Sequence, residues 1–221
     1  MAKLEAYDKS LDYSYAPGIF PATECLNNAK KRCMRLLIAT AGAQSEGVQA
    51  LTRAAQEAGV RVEVADRALE RISKKENCFA AMVYKKAEGK FDDDSPHVVL
   101  HHPSDSGNMG TILRTADAAG FDGAIFGPGC ADLYGAKTLR ATMGSVFRVP
   151  VMMTDDLPGT LEEMKKRGYA VAATELGGQD FYAHCPRENA VLVIGSEGQG
   201  ISQAVRSAAT HHLALPMRGG A

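Results

Sequence analysis

The 221-residue sequence lacks several features that would place it in a class directly. It has no apolar run long enough to span a membrane, and its first 20 residues contain Asp, Glu and Lys without the apolar stretch of a secretory signal peptide. Its five cysteines are odd in number and include no CxxC pair, which disfavours a disulfide framework and a zinc site. We therefore expect a cytoplasmic protein with reduced thiols and no resident metal.

Charge is nearly balanced over the whole chain but not along it. The formal net charge is −1, yet residues 1–90 carry 15 Lys and Arg against 11 Asp and Glu, whereas the remainder carries 10 against 15. A basic first half favours contact with a polyanion, although a solvated basic face explains the same asymmetry. With 45% hydrophobic residues, the chain can bury a substantial core.

The first 96 residues suggest an arm, a small domain and a linker. Residues 1–18 are polar and Tyr-rich, and we predict a flexible arm there. Within a predicted domain over 19–88, apolar spacing indicates strands that alternate with helices: strands at 34–40, 60–66 and 78–85, helices at 47–59 and 67–73. Residues 89–96, rich in Asp and ending near Pro96, are predicted to be a linker.

From His97 to Ala221 the alternation of strands and helices is plainer. Near-continuous apolar strands separated by helices predict an α/β domain with a parallel sheet covered on both faces. The predicted strands are 97–102, 123–127, 146–152, 169–174, 190–196 and 211–217, and the predicted helices are 111–120, 160–168 and 201–210.

Three turns after these strands contain residues suited to chemistry, because ligands of open parallel sheets bind beyond the carboxyl ends of strands. The first leads from His101 to Asn108 and Arg114; a helix cap at Asn108 with a solvated Arg114 is an equally good explanation. The second, residues 195–202, follows a GxxGxG order that is neither a dinucleotide fingerprint nor a phosphate-binding loop. The third, residues 213–220, ends its strand at Pro216.

These segments resemble the motifs of the SpoU (TrmH-like) RNA ribose methyltransferases. The matching segments occur in the family's order: Asn108–Gly110 with Arg114–Asp117, Arg140–Ser145 with Val149–Val151, Val193–Ile201, and Leu215–Met217 with Gly219. Residues 19–88 resemble, more loosely, the N-terminal substrate-binding domain of that family, which has the fold of ribosomal proteins that bind RNA kinks.

The resemblance implies a trefoil-knotted (SPOUT) α/β domain, preceded by a small α/β RNA-binding domain, that binds S-adenosylmethionine and usually forms a homodimer. By analogy, the cofactor would be bound by four residues, largely through their backbone: Thr174, Gly195, Leu215 and Met217. Arg114 would activate the ribose 2′-hydroxyl, Asn108 would orient it, and Glu197 would fix the neighbouring loop or the nucleotide. A permanently protonated Arg is better suited to stabilising a developing alkoxide than to acting as a base.

The expected function is methyl transfer to a ribose 2′-hydroxyl in structured RNA, with ribosomal RNA favoured over transfer RNA because of the N-terminal domain. The best basic cluster for RNA contact is formed by Lys30, Lys31, Arg32 and Arg35, with Lys74, Lys75, Lys85 and Lys86 as further candidates. A non-catalytic RNA-binding module derived from the family is the alternative. An unrelated nucleotide-binding enzyme that uses the glycine-rich turn is a third hypothesis.

Two further features qualify this prediction. The sequence stops at Ala221, inside the third motif, where family members continue with a Ser-Leu-Asn stretch and a final helix. We therefore expect the chain as given to bind the cofactor poorly and to methylate slowly or not at all. The pairs His101–His102 and His211–His212 could suggest a metal site, but adjacent residues of a regular strand point to opposite faces, so strand-end histidines are expected instead.

Overall fold

The computed structural model describes residues 4–73, 77–87, 89, 95–186 and 189–217. It divides the chain into two compact units, one formed by residues 1–87 and 132–148 and the other by residues 88–131 and 149–221. Within the described residues, none of the helices has both the length and the apolar character needed to cross a membrane.

The described residues form ten strands and eight α-helices. The strands are β1 (Tyr13–Pro17), β2 (Cys33–Ile38), β3 (Arg61–Val64), β4 (Ala80–Lys85), β5 (His97–Leu100), β6 (Gly123–Phe126), β7 (Val151–Met153), β8 (Ala170–Asp180), β9 (Ala190–Ile194) and β10 (His211–Ala214). The helices are α1 (Ile19–Asn28), α2 (Glu46–Glu57), α3 (Asp66–Ile72), α4 (Ser106–Ala118), α5 (Ala136–Ala141), α6 (Leu157–Lys166), α7 (Phe181–His184) and α8 (Gln203–Ala208).

The first unit is built on a four-stranded sheet in the order β1-β4-β2-β3, in which only β2 and β3 run parallel. The three strands and two helices predicted between residues 34 and 85 are confirmed, each within a few residues of its expected bounds. The predicted arm is wrong for Tyr13–Pro17, which pair with β4. Tyr13 and Tyr15 lie on one face of this strand, where Tyr15 joins the buried core and Tyr13 packs edge-to-face on it.

Residues 132–148 were expected in the C-terminal domain, but they pack within the first unit. The Phe147 ring meets Tyr84 edge-to-face at 5.1 Å, and the buried Ser14 hydroxyl donates to the Tyr134 carbonyl at 2.8 Å. The strand predicted over 146–152 is also wrong in its first half, where Ser145–Phe147 form a 3₁₀ turn. The turn follows Gly144, whose φ of 90° lies in the left-handed region.

The second unit contains a six-stranded, all-parallel sheet in the order β10-β8-β9-β5-β6-β7. Every residue of β5 and β6 is buried, which confirms the predicted parallel sheet with both faces covered. One face packs on α6 and α8 through a cluster of buried side chains: Val99, Ile125, Leu157, Leu161, Met164, Tyr169, Val171, Ala173, Val191, Val193, Val205 and Ala208.

Three of the predicted strands of this sheet end two or three residues earlier than expected at their carboxyl ends. His101 lies beyond β5, Gly195 beyond β9 and Leu215 beyond β10, so each belongs to a turn at the same edge of the sheet. In a parallel sheet these turns are the positions available to a ligand.

Candidate active site

The strand order reverses beside β5. The chain builds β5, β6 and β7 outward in one direction, then crosses to β8 and returns to insert β9 between β8 and β5. The ends of β5 and β9 are directly joined, because the His101 amide donates to the Ile194 carbonyl at 2.8 Å. The turns after β5 and β9 therefore flank the crevice at which open α/β sheets bind ligands.

The turn after β5 places Asn108 in the first turn of α4. Asp105 is the N-cap, and its carboxylate accepts hydrogen bonds from the amides of Gly107 at 2.8 Å and Asn108 at 2.9 Å. The helix consequently begins at Ser106, five residues before the predicted start, and the alternative that Asn108 is itself the cap is wrong. The side chain of Asn108 is left exposed.

That side chain connects the two turns of the crevice. The Asn108 amide nitrogen donates to the carboxylate of Glu197, 89 residues later in the chain. Both side chains are exposed, so the bond forms at the rim of the sheet edge. Two of the three predicted catalytic residues are thus in direct contact.

Arg114 lies two turns along the exposed surface of α4. Six residues separate it from Asn108, which at about 100° per residue puts the two side chains about 120° apart around the helix axis. Arg114 makes no hydrogen bond or ion pair with any residue that the structure describes. Its guanidinium is therefore available to an external anion.

The turn after β9 is closed on itself and tightly packed. Ser196 and Gly200 exchange two backbone hydrogen bonds, of 3.2 and 2.8 Å, and Gly200 has a φ of 63°. A Cβ at Gly195 would lie 2.4 Å from the Gly200 carbonyl carbon and 2.8 Å from the Ile201 nitrogen. Gly195 is therefore required by the backbone of its own turn, whereas a Cβ at Gly198 would meet nothing within 4 Å.

His101 fastens the far end of this turn to β5. The residue is only 7% exposed, and its Nε2 accepts a hydrogen bond from the Ser202 amide at 3.2 Å. Ser202 is the N-cap of α8, with its hydroxyl accepting from the Val205 amide. Burial lowers the pKa of His101 below its ordinary value, and the neighbouring His102 lowers it further, so the neutral ring that accepts this bond is favoured.

Thr174 lies where the regular pairing of β8 with β10 is interrupted. Its hydroxyl donates to the Val193 carbonyl at 2.9 Å, which ties β8 to β9 just before Gly195. The pairing of β8 with β10 then shifts register, from Ala173 opposite His212 to Gln179 opposite Leu213. Residues 174–178 therefore bulge out of the ladder beside the end of β10.

Two apolar side chains are exposed immediately after β10. Leu215 is 58% exposed and Met217 is 65% exposed, although both are large hydrophobic residues. Gly219, the last residue of the third motif, lies outside the described residues. Thr174, Gly195 and Leu215 thus come from three neighbouring strands at one edge of the sheet.

The four predicted RNA-binding residues of the first unit differ in their availability. Lys30 and Lys31 are exposed in a 3₁₀ turn. Arg32 instead donates to the Lys85 carbonyl at 2.9 Å and covers the Tyr84 ring, and Arg35 pairs with Glu63 at 3.2 Å. Among the further candidates, Lys85 is exposed, Lys86 donates to the Lys9 carbonyl, and Lys74 and Lys75 lie outside the described residues.

The histidine pairs do not assemble a metal site. His101 and His102 follow β5 as a turn, with ring centroids 4.2 Å apart, and His212 pairs with Glu175 at 3.0 Å. Within the part of the chain that the structure describes, no group of three or more His, Cys, Asp or Glu side chains could hold an ion.

With this geometry in place, comparison with known proteins identifies the family. The model of the SpoU rRNA Methylase family matches residues 95–221, more than half of the chain. The chain belongs to the SpoU rRNA Methylase family. The match begins just before β5 and includes every turn of the SpoU site described above.

Individual SpoU relatives support the same placement. The 23S rRNA (guanosine(2553)-2′-O)-methyltransferase RlmP of Bacillus subtilis is 40% identical over 116 residues, which is 52% of this chain and 46% of that protein. A putative TrmH-family tRNA/rRNA methyltransferase of Staphylococcus haemolyticus is 37% identical over 55% of this chain and 49% of its own length. The chain thus spans about half the length of the curated relatives it matches.

Solved structures of RNA methyltransferases resemble most of the chain. A putative RNA methyltransferase of the TrmH family from Porphyromonas gingivalis superimposes with a TM-score of 0.79 at 29% identity, covering 94% of this chain and 82% of that one. The SpoU methyltransferase AviRb from Streptomyces viridochromogenes, solved in complex with the cofactor AdoMet, superimposes with a TM-score of 0.80 at 22% identity, covering 95% and 83%. This second likeness shows the shared fold.

Sequence reasoning missed two residues that build the SpoU site of this chain. Asp105 could have been found, because an Asp directly before a small-residue helix start is a standard N-cap. The sequence indicates for His101 only a possible metal ligand or a strand-end histidine. Its bond to Ser202 joins residues 101 positions apart, and no local pattern predicts such a contact.

Proposed function

We propose that this chain provides the catalytic and RNA-docking parts of an S-adenosylmethionine-dependent RNA ribose 2′-O-methyltransferase. The observation that carries the proposal is the hydrogen bond from Asn108 to Glu197, which joins the turn after β5 to the turn after β9. Membership of the family and the 40% identity to a 23S rRNA 2′-O-methyltransferase support the chemistry.

The edge formed by β10, β8 and β9 fits the proposed cofactor. An adenosine needs an apolar surface and nearby backbone donors and acceptors, and here exposed Leu215 and Met217 follow β10 while the Gly195 turn follows β9. We propose that Thr174 borders the same pocket, since its hydroxyl ties β8 to β9 at the Val193 carbonyl. AviRb, which has this fold, binds AdoMet.

When bound, the cofactor supplies a methyl group on a positively charged sulfur, which is already electrophilic. The chain then has to hold a ribose hydroxyl in line and stabilise the oxygen as its proton leaves. We assign the stabilisation to Arg114, whose exposed guanidinium has no hydrogen-bond or ion-pair partner among the described residues. Asn108 would orient the nucleotide, and Glu197 would fix Asn108 by accepting its amide hydrogen.

The proposed RNA contact in the first unit involves fewer residues than the basic cluster predicted from the sequence. Lys30 and Lys31 are exposed, whereas Arg32 and Arg35 are engaged by Lys85 and Glu63. The double variant Lys30→Ala/Lys31→Ala should weaken RNA binding and reduce the slope of log K against log salt by about one for each phosphate that the variant no longer binds. An unchanged slope would show that phosphates are bound elsewhere.

The substrate is proposed to be ribosomal RNA, in line with the activity for which RlmP is named. The protein is also proposed to form a homodimer with a knotted cofactor-binding edge. The test is transfer of a labelled methyl group to 23S rRNA or tRNA transcripts, followed by digestion to nucleosides. Label on the ribose 2′-oxygen is expected. Binding of RNA without any methyl transfer would instead support the non-catalytic module, and light scattering reports the oligomeric state.

A further inference from the structure

Two thiols of the first unit lie in contact, and the proposed methyl transfer uses neither of them. The Sγ atoms of Cys25 and Cys33 are 3.7 Å apart. Cys25 is fully buried in α1, whereas Cys33 is the half-buried first residue of β2. Both are free thiols.

The turn between α1 and β2 brings these sulfurs together. Helix α1 ends at Asn28, and the Arg32 amide donates to the Ala29 carbonyl at 2.8 Å, which reverses the chain. Cys33 Sγ consequently lies over the end of α1, 3.6 Å from the carbonyl oxygens of Cys25 and Ala29. The other three thiols contact backbone carbonyls of their surroundings: Cys78 that of Ala80, Cys130 that of Leu100 and Cys185 that of Pro186.

The two thiols differ in pKa and in exposure, as the attacking and the resolving thiol of a reactive pair must. A hydrogen bond from Cys25 lowers the pKa of Cys33, and the neighbouring Arg32 acts in the same direction against the effect of burial. The same hydrogen bond and burial raise the pKa of Cys25. Cys33 is also the more exposed of the two, so it is the thiol that meets a reagent first.

We propose that Cys25 and Cys33 form a redox-active dithiol that a peroxide converts to an intrachain disulfide. The Cys33 thiolate attacks one oxygen of hydrogen peroxide, breaks the O–O bond and becomes a sulfenic acid, while hydroxide leaves. The Cys25 sulfur, losing its proton, then attacks the Cys33 sulfur and expels the second oxygen as hydroxide. In sum, two thiols and one peroxide give one disulfide and two waters.

Little movement is required for this step. A disulfide bond is about 2.05 Å long, so the sulfurs must approach by roughly 1.7 Å from their present separation. Cys33 borders the 3₁₀ turn Lys30–Arg32, two residues of which are exposed, so the movement can be absorbed there. The bond would close a loop that contains Lys30 and Lys31.

The test uses the positions of the basic residues. Trypsin cleaves after Lys30, Lys31 and Arg32, so digestion places Cys25 in peptide 10–30 and Cys33 in peptide 33–35. After treatment with hydrogen peroxide and alkylation of the remaining thiols, mass spectrometry should find these two peptides joined, lighter by two hydrogen atoms than their sum. Dithiothreitol should separate them again.

Matched variants distinguish this pair from general oxidation. Cys25→Ala should abolish the joined peptide and let Cys33 proceed to sulfinic acid, while Cys78→Ala should leave the joined peptide unchanged. Cys33→Ser, at a half-buried position, gives a second variant in which Cys25 should stay reduced. Independent alkylation of Cys25 and Cys33 after peroxide treatment, or pairing of Cys33 with another thiol, would overturn the proposal.

A consequence for RNA rests on the proposed function. Because the disulfide would shift the loop that carries Lys30 and Lys31, peroxide-treated protein should bind RNA more weakly than reduced protein, and Cys33→Ser should bind equally before and after treatment. Equal affinities for wild type would overturn the link to RNA docking. No RNA binding in either state, with the joined peptide present, would count against the proposed function and leave the dithiol standing.

Discussion

A single methyl group in the turn after β9 tests how the site is built. In Gly195→Ala the new Cβ would lie 2.4 and 2.5 Å from the carbonyl carbon and oxygen of Gly200 and 2.8 Å from the Ile201 nitrogen. All three are backbone atoms, so the turn itself must move by about 1 Å to reach ordinary contact. Overpacking of this kind costs about 1–3 kcal/mol.

The same displacement should reach the cofactor. A shifted turn changes the positions of the Gly195 backbone and of Glu197, which the side chain of Asn108 contacts. Loss of one backbone hydrogen bond to the cofactor is worth about 1 kcal/mol, or roughly fivefold in Kd. Urea denaturation and isothermal titration with S-adenosylmethionine measure the two effects separately.

Gly198→Ala is the matched control in the same turn. A Cβ at Gly198 meets nothing within 4 Å, so both the free energy of unfolding and the Kd should stay within about 0.5 kcal/mol of wild type. If Gly195→Ala behaved like Gly198→Ala in both assays, the described packing of the turn would be wrong. If only stability fell, Gly195 would have no role at the cofactor.

Two contacts at the crevice give further predictions. A double-mutant cycle of Asn108→Ala and Glu197→Ala should give a coupling free energy of about 0.5 kcal/mol in urea denaturation, small because both side chains are exposed; strict additivity would rule out their bond. Burial lowers the pKa of His101, so its contribution to stability is complete above the ordinary value of 6.5 and is lost as the pH falls below it. His101→Gln should flatten this part of the pH profile, and a profile identical to wild type would show that His101 is not the responsible group.

The sheet of the second unit could be predicted because its signal is local. Runs such as residues 98–100 and 123–126 are apolar throughout, and burial on both faces of a parallel sheet requires that pattern. The turns at the carboxyl ends of these strands could be predicted as well, because each directly follows such an apolar run. The ends of the strands were predicted less accurately, because the predicted strands include His101 and Gly195 whereas β5 ends at Leu100 and β9 at Ile194.

What escaped prediction depends on partners distant in sequence. Tyr13–Pro17 form a strand because β4 supplies the pairing. Arg32 and Arg35 are less available to RNA because Arg32 donates to the Lys85 carbonyl and Arg35 pairs with Glu63. The contact of Cys25 with Cys33 depends on a 3₁₀ turn of three consecutive basic residues, which the sequence presents only as a charged cluster. The site motifs were found through resemblance, since their spacing alone left the cap and loop alternatives open.

The central claim is that Arg114 acts on the ribose hydroxyl and not on the cofactor. The most direct measurement compares Arg114→Ala with wild type in two assays on one preparation, the Kd for S-adenosylmethionine by calorimetry and the initial rate of 2′-O-methyl formation on 23S rRNA. This role of Arg114 predicts a Kd within about twofold of wild type and a rate lower by roughly 10²-fold or more. An unchanged rate, or a rate and an affinity that fall together, would contradict it.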